Sequence, residues 1–174
     1  MTTMNRTLKA IFILLSFLLI SSTSIAGELR VVRVTEGDTI EAVADHMEII
    51  VRLVGIDAPE LGRKKNEPGQ PFSTKATKYL ANLVLKKTIT IKEYGNDQYG
   101  RILGVVFVNG KNANLEMVKA GLAEVYRGKQ PRYFNVKIYQ DAEAEAKKNK
   151  RGMWVQGDKY ISPREWRKMR KKDM

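Results

Sequence analysis

The sequence predicts an α+β fold in which five strands close a small β-barrel and three α-helices pack around it. Three segments rich in Val and Ile follow one another between residues 29 and 54, separated only by the short polar breaks "EGD" and "ADH". These breaks are too short for helical crossovers, so the three strands must pair antiparallel. One helical pattern follows the third strand and two follow the fifth, an order typical of the five-stranded OB-fold barrel.

The strands are predicted from apolar runs that are bounded by turn residues. The segment "GNDQYGR" forms the turn between the fourth and fifth strands, and Asn109-Gly110 closes the fifth. A hairpin turn that contains His46 joins the second strand to the third. The predicted strands span residues 29–35, 39–44, 47–54, 88–94 and 102–108.

The helices are predicted from apolar residues at helical spacing. The first is expected to begin at Pro71, because the first turn of a helix tolerates the missing N–H of proline. It should end at Lys86 and Lys87, where cations suit the helix dipole. The second is "NANLEMVKAGLAEVY", and the third begins at Pro131 and includes "DAEAEAKKNK". The apolar face of the first helix consists of Phe72, Ala76, Tyr79, Leu80, Leu83 and Val84.

The first 26 residues are expected to be a secretory signal peptide. Arg6 and Lys9 precede a short apolar run, which small residues follow up to Ala26. The run is shorter than the ~20 apolar residues that a membrane span needs. We therefore divide the chain into a signal peptide (1–26), one domain (27–157) and a basic tail (158–174), and expect a secreted or periplasmic protein.

Without residues 1–26 the chain has 29 basic and 19 acidic side chains, a net charge of +10. This surplus indicates a polyanionic partner, which could be nucleic acid, an anionic cell surface or an acidic glycan. The absence of cysteine excludes stabilisation by disulfides. With a single histidine as well, the chain offers few ligands for zinc or another soft metal.

Five charged residues lie at predicted strand ends, which a barrel brings together at its rim. Taken singly, each is more often a turn, surface or ion-pair residue. Together they support one chemistry, because two carboxylates and a main-chain carbonyl suit calcium and two guanidinium groups can grip a phosphate. A further carboxylate can take the proton of an attacking water. The five residues are Asp38, Arg52, Asp57, Glu60 and Arg101.

The motifs "EGDTIEA", "VRLVGIDAPE" and "NDQYGRILGVVF", in this order, resemble the staphylococcal nuclease (thermonuclease) family. The segments "NLEMVKAGLAEVY" and "AEAEAKKNKRGMW" resemble its two later helices, so the likeness covers nearly all of the domain at 27–157. The resemblance implies a calcium-dependent hydrolase of DNA and RNA that has little sequence specificity and leaves 3′-phosphate ends.

The resemblance also implies a role for each site residue. The implied roles are calcium binding by Asp38, Asp57 and the Ala58 carbonyl, general-base or water-positioning action by Glu60, phosphate binding by Arg52 and Arg101, and nucleotide contact by Tyr99. The type member has Thr in place of Ala58 and Lys in place of Gln98. A carbonyl ligand needs no side chain, so the resemblance still implies Ca²⁺ as the cofactor.

The alternative function is a non-catalytic OB-fold protein that binds single-stranded nucleic acid. Such a protein needs the basic charge but none of the three carboxylates. The loop 62–70 is either a basic flap near the substrate or only a soluble loop. For the tail, a surface helix or a frayed end is favoured over a nucleic-acid contact through Trp166. We expect a monomer that prefers single strands, because a flexible chain can bend its phosphate into a site at the rim.

Overall fold

A closed five-stranded β-barrel forms the centre of the computed structural model, which describes residues 29–45, 47–62, 64 and 66–172. The expected signal peptide and His46 lie outside these residues. The strands are β1 (Leu29–Glu36), β2 (Thr39–Ala44), β3 (Met47–Leu53), β4 (Ile56–Asp57), β5 (Thr88–Asn96), β6 (Ile102–Val108), β7 (Lys111–Asn112) and β8 (Glu124–Val125). The helices are α1 (Ser73–Val84), α2 (Ala113–Lys119), α3 (Lys137–Lys148), a 3₁₀ helix (Gly152–Lys159) and α4 (Pro163–Lys172).

The barrel closes through one parallel pairing. Strand β2 pairs antiparallel with β1 and β3, β1 pairs with β5, and β5 pairs with β6. Strand β6 then runs parallel to β3, with Arg52 opposite Leu103. The predicted five-stranded OB-fold barrel is therefore confirmed. Two short strands, β4 and β8, pair antiparallel outside it and place Asp57 opposite Glu124.

The barrel interior and the inner faces of α1 and α2 form one apolar core. Alternation along β3 buries Val51 and Leu53 and turns Arg52, between them, towards the rim. The predicted apolar face of α1 supplies Ala76, Leu80 and Val84, which are fully buried. The predicted face and the barrel strands therefore bury each other.

The helix bounds differ from the predicted ones where the backbone turns. Helix α1 begins at Ser73, not at Pro71, because Phe72 has a left-handed φ of 72°. Helix α2 ends at Lys119, before the predicted end, and Gly121, with φ 65°, redirects the chain into β8. Helix α3 begins only at Lys137, because the residues after Pro131 form a turn instead.

A fourth α-helix is present in addition to the three predicted for the domain, in the tail for which a surface helix or a frayed end was predicted. Helix α4 lies within the basic tail, and its Trp166 and Arg167 are only partly exposed. The segment before it is attached by Gln70, whose Nε2 donates to the Ile161 carbonyl at 2.7 Å. Across residues 29–172, as far as they are described, no helix is both long and apolar enough to traverse a lipid bilayer.

Candidate active site

A cavity of about 670 Å³ opens at the barrel rim, between the start of β2, the end of β3 and the turn before β6. Five of the seven predicted site residues line it: Asp38, Arg52, Glu60, Tyr99 and Arg101. The other two, Asp57 and Ala58, are buried beside it. The structure thus brings side chains from three separate sequence segments to one cavity.

Arg52 lies between the two buried aspartates. Its Nη1 is 2.7 Å from Asp38 Oδ2, and its Nη2 donates to Asp57 Oδ1 at 3.2 Å. The β2–β3 register explains the first contact, since Thr39 is opposite Arg52 and Asp38 directly precedes Thr39. The guanidinium group is therefore held in place at the cavity by two carboxylates.

Asp38 is fixed by its neighbours on both sides. Its Oδ2 accepts a hydrogen bond from the Ala58 N–H at 2.7 Å, and its Oδ1 accepts one from the Thr39 hydroxyl at 3.1 Å. The pKa of the Asp38 carboxyl is raised overall, mainly by burial and also by the neighbouring Asp57. The nearby Arg52 guanidinium opposes this shift. Two acidic groups share a buried space, so positive charge is needed between them.

Arg101 is oriented by its own turn. Its Nε donates to Asp97 Oδ2 at 2.7 Å, while Asp97 Oδ1 accepts the N–H groups of Tyr99 (2.9 Å) and Arg101 (3.0 Å). Partial burial raises the pKa of Asp97, but these hydrogen bonds outweigh it and lower the pKa overall. The Arg101 guanidinium carbon is 5.5 Å from the centre of the exposed Tyr99 ring. The turn thus presents a cation and an aromatic ring together.

Arg167 and Glu36 are among the charged residues of the cavity that were not predicted from the sequence. The guanidinium of Arg167 donates to both oxygens of Asp57, with Nη1–Oδ1 at 3.0 Å and Nη2–Oδ2 at 2.8 Å, and Nη1 also donates to Glu60. These hydrogen bonds raise the pKa of Arg167. Glu36 ends β1 two residues before Asp38, and burial raises its pKa.

The sequence contains a weak indication of Glu36 as a site residue but none of Arg167. Only its closeness to Asp38 in the sequence could have singled out Glu36. Local sequence gives no sign of the Arg167 contact, because Arg167 and Asp57 are 110 residues apart.

The carboxylates of the site offer oxygen ligands, which hard cations such as calcium prefer. Asp38, Asp57 and Glu60 surround the guanidinium groups of Arg52 and Arg167, which shows that the cluster accommodates positive charge. Within the part of the chain that the structure describes, however, no group of three or more His, Cys, Asp or Glu side chains is arranged to hold a metal ion. Both oxygens of Asp57 are directed at arginines instead.

The chain matches the family described as staphylococcal nuclease homologue over residues 50–156. A protein of Haemophilus influenzae named "Uncharacterized endonuclease" is 35% identical over 172 residues, which cover 98% of this chain and 90% of that protein. A protein of the same name from Escherichia coli is 40% identical over 139 residues, covering 79% and 83%. A Pyricularia oryzae protein named "Probable endonuclease LCL3" is 40% identical over 125 residues, covering 68% and 48%.

The barrel, its charged cavity and these relatives define a phosphodiester hydrolase of the endonuclease class. The chain belongs to the staphylococcal nuclease family, as its three motifs predicted. Nucleic acids are therefore its substrates. Members of this family generally depend on a metal ion.

Proposed function

We propose that this protein is an exported, calcium-dependent nuclease that cleaves DNA and RNA with little sequence specificity, prefers single strands and leaves 3′-phosphate ends. One observation carries the proposal: Asp38, Arg52, Glu60 and Arg101 line the same cavity. Carboxylates and guanidinium groups on a single cavity can supply a general base and the stabilisation of developing charge that accelerate hydrolysis of a phosphodiester. A protein that only bound nucleic acid would need the arginines but not the buried acids.

Arg52 and Arg101 are suited to binding the scissile phosphate. Each guanidinium is already oriented by carboxylates, Arg52 by Asp38 and Asp57 and Arg101 by Asp97. Less conformational freedom is therefore lost when the substrate binds. Phosphate contacts carry no sequence information directly, which supports weak sequence specificity. The exposed ring of Tyr99 offers a surface for the neighbouring nucleotide.

Glu60 is the general base of the proposed reaction, or it positions the attacking water. A bond forms between the water oxygen and phosphorus while the bond from phosphorus to the 5′ oxygen breaks. The departing 5′ oxygen takes up a proton, and the phosphate stays on the 3′ side. Arg52 and Arg101 stabilise the charge that develops as phosphorus becomes five-coordinate. Calcium held by Asp38, Asp57 and the Ala58 carbonyl would supply Lewis-acid polarisation of the phosphate.

Digestion of heat-denatured DNA in calcium and in chelator tests this function. We expect cleavage only with calcium, and 3′-phosphate ends on the products. Glu60→Ala should lower the rate by roughly 10²–10⁴-fold with the fold retained. Glu93→Ala, at an exposed carboxylate on β5, is the matched control and should keep the rate. Intact DNA in both conditions, with binding seen in a gel-retardation assay, would favour the alternative of a binding protein.

The proposal also places the protein outside the cytoplasm, as a monomer. The basic start, short apolar run and small residues of segment 1–26 support export and a mature chain that begins near Gly27. N-terminal sequencing of the protein from the periplasm or the medium tests the cleavage position. Sedimentation of the purified protein tests the monomer.

A further inference from the structure

We propose that helix α4 carries a built-in competitor for the metal ion: Arg167 occupies the carboxylates of Asp57 and Glu60 and must release Asp57 before a cation can bind there. This inference rests on the proposed calcium dependence. It assigns an autoinhibitory role to a helix of the basic tail at 158–174.

The contacts of Arg167 fill the positions that a cation would take. Its two terminal nitrogens reach both oxygens of Asp57, at 3.0 and 2.8 Å, and one of them also bridges to Glu60. The side chain of Asp57 is only 3% exposed, and its Oδ1 also accepts from Arg52 at 3.2 Å. A cation coordinated by Asp57 therefore has to displace a guanidinium nitrogen.

Helix α4 is a regular helix with a capped N-terminus. Pro163 occupies its first position, and Ser162 and Glu165 cap it reciprocally. The Glu165 N–H donates to the Ser162 hydroxyl at 3.2 Å, and the Ser162 N–H donates to the Glu165 carboxylate at 3.2 Å. Arg167 is thus presented from a structured element.

Contacts other than Arg167 attach the helix beside the acidic cluster. Arg170 donates to the Leu61 carbonyl at 3.1 Å and forms an ion pair with Glu67 at 2.7 Å. Gln70 links the two segments, because its Nε2 donates to the Ile161 carbonyl and its Oε1 accepts from the Glu60 N–H at 3.1 Å. Substituting Arg167 therefore removes the competing cation while other anchors keep α4 in place.

The competition follows from electrostatics. Buried carboxylates are stable only with positive charge nearby, and Arg167 supplies it where no metal is bound. A calcium ion can replace this charge, but at the same oxygens it would lie directly beside the guanidinium, and two cations in contact in a buried space repel each other. The fraction of molecules in which Arg167 has left Asp57 then sets the apparent calcium affinity.

Calorimetric titration with calcium chloride alone tests the proposal. Arg167→Met keeps the apolar stem and the helix propensity but removes the charge and the donors. We expect this variant to bind calcium with an affinity at least roughly tenfold higher than that of the unchanged protein. Arg164→Met, which removes an exposed charge from the same helix, is the matched control and should change the affinity by no more than about twofold. Equal or weaker calcium binding by Arg167→Met overturns the proposal. If this variant also cleaved DNA more slowly, Arg167 would instead be a positioning residue for Glu60.

A second variant and a second measurement make the test independent of one substitution. Arg167→Lys keeps the charge but lacks the planar fork that contacts both Asp57 oxygens in parallel, so we expect an intermediate gain in affinity. Calcium should also accelerate amide hydrogen exchange in residues 164–171 of the unchanged protein, because α4 loses one anchor. Unchanged or slower exchange there contradicts the proposal. Cleavage in calcium without any of these affinity changes would overturn the competition alone, whereas the absence of cleavage would overturn the proposed function.

Discussion

The carboxylate of Asp38 accepts a hydrogen bond from the Ala58 N–H at 2.7 Å and so joins two turns that are 20 residues apart. This close approach depends on Gly37. A Cβ at that position would lie 2.7 Å from the Ala58 Cβ and 2.8 Å from the Ala76 Cβ, far inside normal contact distance. The absence of a side chain at Gly37 therefore determines how the two acidic turns of the site meet.

Gly37→Ala should displace the Asp38 turn and lower the rate of DNA cleavage at least tenfold, since small errors in placing catalytic groups are costly. Overpacking should also destabilise the fold by about 1–3 kcal/mol. Digestion of denatured DNA and thermal unfolding measure the two effects. Gly110→Ala, in an open turn with φ 74° after β6, is the control and should lose stability without losing rate. Full activity in folded Gly37→Ala would contradict the prediction.

Asp97→Asn should weaken substrate binding through Arg101. The asparagine can still accept the N–H groups of Tyr99 and Arg101, which keeps the turn, but it removes the charge that holds the Arg101 guanidinium. We expect kcat/KM to fall roughly tenfold with little change in stability. Steady-state cleavage kinetics measure the effect. Asp141→Asn removes an exposed acid that pairs with Lys137 on α3, and it should leave kcat/KM unchanged.

Asn114→Ala should destabilise the fold, because this fully buried side chain joins α2 to the barrel. Its Oδ1 accepts the Val106 N–H, and its Nδ2 donates to the carbonyls of Val54 and Gly104, all at 3.0 Å. We expect a loss of about 2–4 kcal/mol in the free energy of unfolding, measured with urea. Asn149→Ala, at an exposed helix end, should cost less than about 1 kcal/mol. Similar losses for both variants would refute this role of Asn114.

Glu143→Gln should remove a pH-dependent contribution to stability. Burial raises the pKa of Glu143, but hydrogen bonds from Arg127, the Val125 N–H and Lys147 outweigh it and lower the pKa below its ordinary 4.5. A carboxyl whose pKa is lowered by folding stabilises the protein at every pH above the pKa it has in the unfolded chain. This contribution is lost as the pH falls through the lower pKa that the carboxyl has in the folded protein. The variant should thus be less stable by about 1.5–3 kcal/mol at neutral pH, with the difference shrinking below about pH 4.5.

Urea unfolding at a series of pH values checks this prediction. Glu145→Gln is the matched control, since the Glu145 side chain on the same helix is mostly exposed and pairs with Arg151. We expect it to change stability by less than about 1 kcal/mol at every pH. A difference between Glu143→Gln and the unchanged protein that stays constant down to pH 3 would rule out the assigned role of the Glu143 carboxylate.

Much of the barrel could be predicted because its signals are local. The short breaks between the first three strands force antiparallel pairing, and alternation in β3 buries Val51 and Leu53 around Arg52. Helix bounds were predicted less well. Phe72, with its left-handed backbone, packs against both apolar clusters, and after the early end of α2 the Gly121 carbonyl accepts the Met153 N–H. Hydrophobic periodicity does not reveal such tertiary contacts.

The start of α4 did have a local signal, since Ser162, Pro163 and Glu165 stand at the spacing of a capping box. Capping residues indicate where a helix begins, however, and not where it docks.

The sequence by itself determined the barrel, the family and the segments that carry the acids and arginines of the cavity, because those features depend on residue order and on contacts between neighbouring strands. Only the tertiary structure decided which charges meet. Arg167 reaches Asp57 across 110 residues. Whether two such groups pair depends on how α4 docks, to within a few tenths of an ångström, and hydrophobic periodicity does not encode that position.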